Sequence, residues 1–421
     1  MTSRERVKKA LSHNEIDRVP VDFGATPVTG MAASLVYNLR QYFGLDKQST
    51  PVKVIEPYQM LGEIGADLKQ ILRLDCVGIS PLNNMFGFEN KNWKEWKLFD
   101  GTPVLVPGLF NTEPTEKGDI LMYPGGDKSA PASGRMPKGG FYFDTIVRQP
   151  PIDEHKLKIE DNLDEFQPVT DTELEYFRKE VDFLYQNTDS AIVANFGGTA
   201  FGDIGLVPAP FLKHPKGIRD VEEWYISTVT RKNHIYKIFE RQCEIALQNL
   251  KKIKQVVLNK VAVMFVCGTD FGTQQGLLIS PEMYRNLYKP FYKEINAWVH
   301  KNTKWKTFKH SCGSIEPLIP EFIDSGFDIL NPIQCSAANM EPMLLKEKYG
   351  SQIVFWGGGV DTKKTLPFGT PEQVKREVEE RIDIFSQGGG FVFNAIHNLQ
   401  AGLPLENVIA MFEAVRKQNN F

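Results

Sequence analysis

The sequence predicts an α/β fold, a (β/α)8 TIM-type barrel carrying a β-rich insertion after its second strand. Three observations carry this expectation. Eight short apolar runs are spaced along the chain. Amphipathic helical stretches separate the later ones. The 421 residues, 42% hydrophobic and 24% charged, are enough to bury a large core. Near-continuous apolar strands alternating with helices imply a parallel sheet covered on both faces. Eight such strands close most simply into a barrel. An open doubly wound sheet is the alternative, but no Gly-x-Gly-x-x-Gly opens a helix after any of these runs.

The chain opens with residues 3–12, which place Val7, Ala10 and Leu11 on one face and charges elsewhere, the pattern of a short amphipathic helix. Strands are then expected at 19–24, 76–79, 191–196, 261–267, 307–310, 327–333, 353–356 and 390–396. Most end in glycine, asparagine or another polar residue, as a strand entering a βα loop should. Helices are expected at 281–300, 315–324 and 371–385. The first contains Pro290 and should be kinked or split there. Residues 82–150 break the alternation, being rich in aromatics, glycine and proline. They read as two or three inserted β-hairpins, with Asp100-Gly101 as a turn. The insertion serves either as decoration or as a lid or docking surface over the barrel mouth. The expected organisation is one barrel domain over residues 1–421 with this insertion at 82–150.

Net charge is −3, so there is no basic excess to neutralise phosphates, which excludes a general nucleic-acid binder. No apolar run approaches the length of a membrane span, and the charged N-terminus lacks the apolar stretch of a secretory signal. Five scattered cysteines argue against a disulfide framework and for a reducing, cytoplasmic location.

The sharpest chemical signal is the segment Phe308-Lys309-His310-Ser311-Cys312-Gly313. His310 and Cys312 are two apart at the C-terminal end of an expected strand, so both side chains point the same way. A thiolate and an imidazole on one face are two of the ligands zinc prefers, and barrel enzymes keep their active sites at this end. A third ligand could come from His397, after the last strand, or from Cys335, after the sixth. Asp270, where an apolar strand meets glycine, is a candidate catalytic carboxylate. Gln274, Asn331, Gln334 and Asp361 stand at the same strand ends and are candidate substrate-binding residues.

At these residues the sequence resembles the uroporphyrinogen decarboxylase superfamily, over essentially the whole chain. The marks are RERVKKALSHNEIDRVPVDFG, LLISPEMYRNLYKPFY, HSCGSIEPLIPEFIDSGFDILNPIQ, GGGVDTKKTLPFGTPEQVKREVEERI and HNLQAGLPLENVIAMFEA. The resemblance implies the barrel fold. True decarboxylases carry an arginine-bearing Met-Arg-Gln-Ala-Gly-Arg stretch after the first strand. Here that place, residues 22–31, holds no arginine, which removes the cationic partners a many-carboxylate tetrapyrrole needs.

The sequence is more similar to the zinc-dependent corrinoid methyltransferase branch, which has His-x-Cys after one strand and a second cysteine after the last. His310 and Cys312 match the first part. Aligning residues 404–407 puts His397 where the branch has that cysteine, so the resemblance favours His397 as third ligand. It implies a Zn²⁺ cofactor and a corrinoid carried in trans by a partner protein. It also implies a methyl ether, thiol or folate as the small-molecule methyl donor or acceptor, and is compatible with a homodimer. Two rival readings are a decarboxylase of a tetrapyrrole or small acid, and a non-enzymatic tetrapyrrole- or corrinoid-binding protein.

Overall fold

The structure is a computed structural model that describes residues 1–419. Seven parallel strands form one curled sheet in sequential order: β1 (Cys76–Ile79), β2 (Ala191–Ala194), β3 (Val263–Cys267), β4 (Lys306–His310), β5 (Ile329–Asn331), β6 (Val354–Trp356) and β7 (Phe391–Val392). The eighth position is filled by residues 20–22. Asp22 N–H donates to Phe393 O (2.9 Å) and Phe393 N–H to Pro20 O (2.8 Å), while Asp75 N–H donates to Val21 O (2.8 Å). These bonds join the strand before β1 to both ends of the sheet and close the barrel.

Most expected strands are shorter than their apolar runs, and two contribute little more than a bridge or a pair of residues. The run at 19–24 contributes a single bridge, Val21 to Phe393. Pro20 has no N–H to donate, and Gly24 turns out of the strand with φ 91°. The run at 390–396 is strand only at Phe391–Val392.

Strand alternation separates two cores. Val263, Phe265, Phe308, Ile329, Val354, Trp356 and Val392 fill the barrel interior. Phe308 packs against Phe265 and Trp356, each with ring centroids 5.4 Å apart. Val7 of helix α1 (Ser3–Ala10) and Leu11 plug the interior from the N-terminal end. A capping box between Thr2 and Glu5 starts that helix. The other faces of the strands pack against surrounding helices, among them α2 (Asp171–Asn187), α3 (Lys232–Val257) and α4 (Lys289–Asn302). The expected break at Pro290 is real: a wider π turn, Tyr284–Tyr288, precedes α4 and leaves proline in its first turn. The later helices are α5 (Ile319–Asp324), α6 (Pro371–Phe385) and α7 (Leu405–Gln418).

Between β1 and β2 lies the predicted β-rich region. Lys94–Lys97 pairs antiparallel with Pro103–Val106 across the Asp100–Gly101 turn. Ile120–Met122, Gly134–Met136 and Asp144–Thr145 form a second antiparallel sheet. The first of these sheets has two strands that the sequence did not predict. Val52–Glu56 lies parallel to Pro103–Val106 and pairs antiparallel with Leu61–Gly62.

Candidate active site

β4 ends in His310, and the chain then turns sharply through Ser311, Cys312 and Gly313. Gly313 has φ 94°, and a Cβ there would lie 2.4 Å from the backbone carbon of Gly272. Only glycine lets the two loops touch, and this contact holds the Asp270 loop against the Cys312 loop. Ser311 Oγ adds to it by accepting from Phe271 N–H (2.9 Å).

The structure brings His310, Cys312 and His397 together, with one donor atom from each inside a mutual separation of 4.8 Å. Cys312 Sγ is 3.4 Å from His310 Nε2, and the two imidazole centroids are 5.5 Å apart. Cys335 stands apart from this group, its Sγ donating to Ile333 O at 3.3 Å.

Each histidine has its tautomer fixed by an asparagine. Asn331 Nδ2 donates to Trp356 O (2.8 Å), so its Oδ1 faces His310 Nδ1 at 2.6 Å and must accept from it. Asn398 does the same for His397, with Oδ1 at 2.8 Å from Nδ1. Both rings therefore carry the proton on Nδ1 and leave the Nε2 lone pair for another partner. Burial lowers the pKa of both imidazoles, so they are neutral at physiological pH. Burial, reinforced by the Asp270 carboxylate, pushes the Cys312 thiol well up. Without a cation the trio is a neutral thiol facing two neutral rings.

Asp270 stands at the edge of this group. Its Oδ1 accepts from Cys312 N–H (2.7 Å) and lies 3.7 Å from His310 Nε2. Gln334 Oε1 accepts from Gly313 N–H (2.7 Å), and its Nε2 donates to Gln274 Oε1 (3.0 Å), so these two glutamines form a polar rim beside Cys312. Two other expected substrate residues have committed side chains. Asn331 uses both ends of its amide on His310 and Trp356. Asp361 Oδ1 caps the backbone N–H groups of Lys363 and Lys364 (2.6 and 3.2 Å).

Sequence reasoning missed three residues near the site. Lys309 is fully buried and donates to Thr269 O (2.5 Å) and His310 O (2.6 Å), tying β4 to the Asp270 loop. Asp203 has its pKa raised to about 6 by burial, with the Asp270 charge adding to the shift. Asn398 adjoins His397, and its place in a polar post-strand segment was the available signal. Lys309 was legible as the residue facing away from His310; Asp203 lies in an irregular loop with no periodic mark.

The comparisons with known proteins agree with this architecture. Residues 147–418 match the family model described as Uroporphyrinogen decarboxylase (URO-D). Curated relatives named uroporphyrinogen decarboxylase, from Coxiella burnetii strains Dugway 5J108-111 and RSA 493, are 25% identical over 178 residues. That stretch is 40% of this chain, and the chain spans 46% of the length of those relatives. Among solved structures, a methyltransferase from Methanosarcina mazei superposes with a TM-score of 0.50 over 99% of both chains, at 15% identity. At that identity the likeness speaks for the fold.

Proposed function

The chain belongs to the uroporphyrinogen decarboxylase family, and within it we propose a zinc-dependent methyltransferase that moves a methyl group between a small substrate and a corrinoid carried by a separate protein. The observation that carries this reading is the His310–Cys312–His397 group at the C-terminal end of the barrel, with Nδ1 of both rings taken by asparagines and His310 Nε2 3.4 Å from the Cys312 thiol.

The residues fit the metal. Tetrahedral zinc with bonds of ~2.0 Å to nitrogen and ~2.3 Å to sulfur sets its donors roughly 3.3–3.8 Å apart. The 3.4 Å between Cys312 Sγ and His310 Nε2 already matches, and His397 needs only a small inward movement. The thiol whose pKa burial raises is the group a divalent cation would convert to thiolate. Bound by one thiolate and two neutral imidazoles, zinc would keep a net charge near +1 and supply Lewis acidity toward a substrate oxygen. Three protein ligands leave a fourth position open.

The surrounding side chains have separate tasks. Asn331 and Asn398 hold the two rings in their ligating tautomers. Asp270 fixes the Cys312 backbone and would hold or move the proton on the substrate heteroatom. Gln334, with both ends of its amide engaged, would hold Gln274 at the rim to orient the substrate. The Methanosarcina neighbour's name supports methyl transfer over its alternatives. One thiolate rather than two favours a methyl ether over a thiol, with a folate acceptor consistent with the same site.

Zinc-loaded protein should transfer methyl groups from a panel of methyl ethers, methyl thioethers and methyl-folate to free reduced cobalamin, or from methylcobalamin to a thiol, and Cys312→Ala should not. Methyl transfer by the Cys312→Ala variant at wild-type rate would refute the reading. The family description favours one second reading, decarboxylation of a porphyrinogen. Loss of carboxylates from uroporphyrinogen with metal-free protein would establish that reading instead.

A further inference from the structure

We propose that Asn398 and Gln59 form a positioning relay that sets the tautomer and direction of His397, founded on the turn at residues 56–60 outside the barrel. The inference rests on the metal reading for its purpose but not for its test.

His310 is held from within the barrel, because Asn331 ends β5 and Trp356 ends β6. His397 follows the short β7 and has no such wall. Its neighbour Asn398 is only 2% exposed, and every polar end of its amide is engaged. Oδ1 faces His397 Nδ1 at 2.8 Å, while Nδ2 donates to Gln59 Oε1 (2.6 Å) and Pro27 O (3.2 Å). A carbonyl oxygen at Pro27 can only accept, so the amide cannot be reversed. His397 Nδ1 must then donate, and Nε2 is left with the lone pair.

Gln59 is itself anchored. Glu56 accepts from the N–H groups of Gln59 (2.7 Å) and Tyr58 (3.1 Å), closing the turn. Backbone bonds fasten both sides: Leu399 N–H to Gly30 O, Ala32 N–H to Leu399 O, and Ala33 N–H to Met60 O. Phe143 N–H to Tyr58 O and the Tyr58–Thr145 hydroxyl contact extend the support into the inserted sheets. Residues 27–32 therefore serve as packing for the third donor.

The test reads the ring directly. In metal-free protein labelled with ¹⁵N-histidine, the chain's seven histidines are resolved by two-bond ¹⁵N–¹H correlation, and His397 is assigned from its loss in His397→Gln. The relay requires the Nδ1–H tautomer in wild type. Asn398→Ala should move His397 toward a mixture dominated by Nε2–H. Gln59→Leu should do the same to a smaller extent, and Gln59→Glu, which still accepts from Asn398, should stay like wild type. If Asn398→Ala fails to fold, the two Gln59 variants decide. A mixed tautomer in wild type, or identical spectra for Gln59→Leu and Gln59→Glu, overturns the relay.

Zinc competition against a chelator adds a second readout. Loss of an outer partner of a ligating histidine should weaken binding roughly 10–100-fold in Asn398→Ala. Equal zinc affinity in wild type and Asn398→Ala overturns the relay and leaves the metal site standing. Wild type that takes up no zinc but shows the expected tautomers overturns the metal reading and upholds the relay.

Discussion

Two buried polar clusters sit at opposite ends of the barrel, and they are built on opposite principles. At the N-terminal end, Asp75 is fully buried and accepts from Arg6 Nη1, Arg18 Nη1 and Nη2 (each 2.7 Å) and Val21 N–H (2.9 Å). Arg6 reaches on to Asp17 through Nε and Nη2, both at 2.7 Å. Opposite charges meet there with their hydrogen bonds satisfied. At the C-terminal end, His310, Cys312 and His397 are neutral and keep donor atoms in reserve. A saturated cluster can only hold the fold together, whereas an unsaturated one is available to a ligand. Asp22 stands between these cases. It is a buried carboxylate whose hydrogen-bond partners are neutral, Trp356 Nε1–H (3.0 Å) and Ala25 N–H (3.2 Å).

This contrast predicts different responses to substitution. The largest stability effect should come from Asp75→Ala, which removes the fully buried carboxylate that accepts from Arg6, Arg18 and Val21 N–H. A loss of about 3–5 kcal/mol in denaturant unfolding is expected, and a loss under 1 kcal/mol would show that the cluster is not structural. Asp22→Asn should show itself in the pH dependence of stability. Burial raises the Asp22 pKa to about 6. The folded state therefore favours the protonated acid, and the associated stability is present below about pH 4 and lost as pH rises through about 6. Wild type relative to the variant should therefore lose on the order of 2 kcal/mol between pH 4 and pH 8; a difference between the two that does not change with pH would contradict the assignment.

Cys312→Ala should change the metal-free stability by about 1 kcal/mol or less, because the one side-chain contact its thiol makes here, to His310 Nε2 at 3.4 Å, is a weak and local hydrogen bond. Unfolding of metal-free wild type and variant by the same denaturant measures it. The smallest effect is expected at Asp17→Asn. The Arg6 hydrogen bonds lower the Asp17 pKa to about 2, but its side chain is 41% exposed, so solvent screens the pair. Its contribution, up to ~1 kcal/mol, is present above about pH 4 and disappears as pH falls through about 2. Comparing acid unfolding of the variant with wild type between pH 5 and 2 reads this directly.

The same contrast explains what the sequence disclosed. Buried parallel strands are apolar on both faces, so β1 to β7 stood out as short runs without any need for alternation. Val52–Glu56 did not, because its exposed Ile55 and half-buried Lys53 blur the pattern and its partner strand lies some fifty residues on. His310 and Cys312 were legible because they stand two apart at a strand end, although Cys312 lies in the turn after β4 and is held beside His310 by that turn and by Asp270. Joining His397 to them needed family resemblance, since nothing local says which post-strand residue converges on the mouth. Gln59 left no mark at all: its contact with Asn398 spans 339 positions and depends on a turn outside the barrel. The ion cluster was equally hidden, for Arg6, Arg18 and Asp75 read singly as surface charges.

The most direct test of the account is equilibrium zinc binding to metal-free protein, measured on wild type, Cys312→Ala and Cys335→Ala. One zinc per chain is expected in wild type and Cys335→Ala, and none retained by Cys312→Ala. Binding that survives in Cys312→Ala, or that is lost in Cys335→Ala instead, would contradict the assignment of the trio as the metal centre.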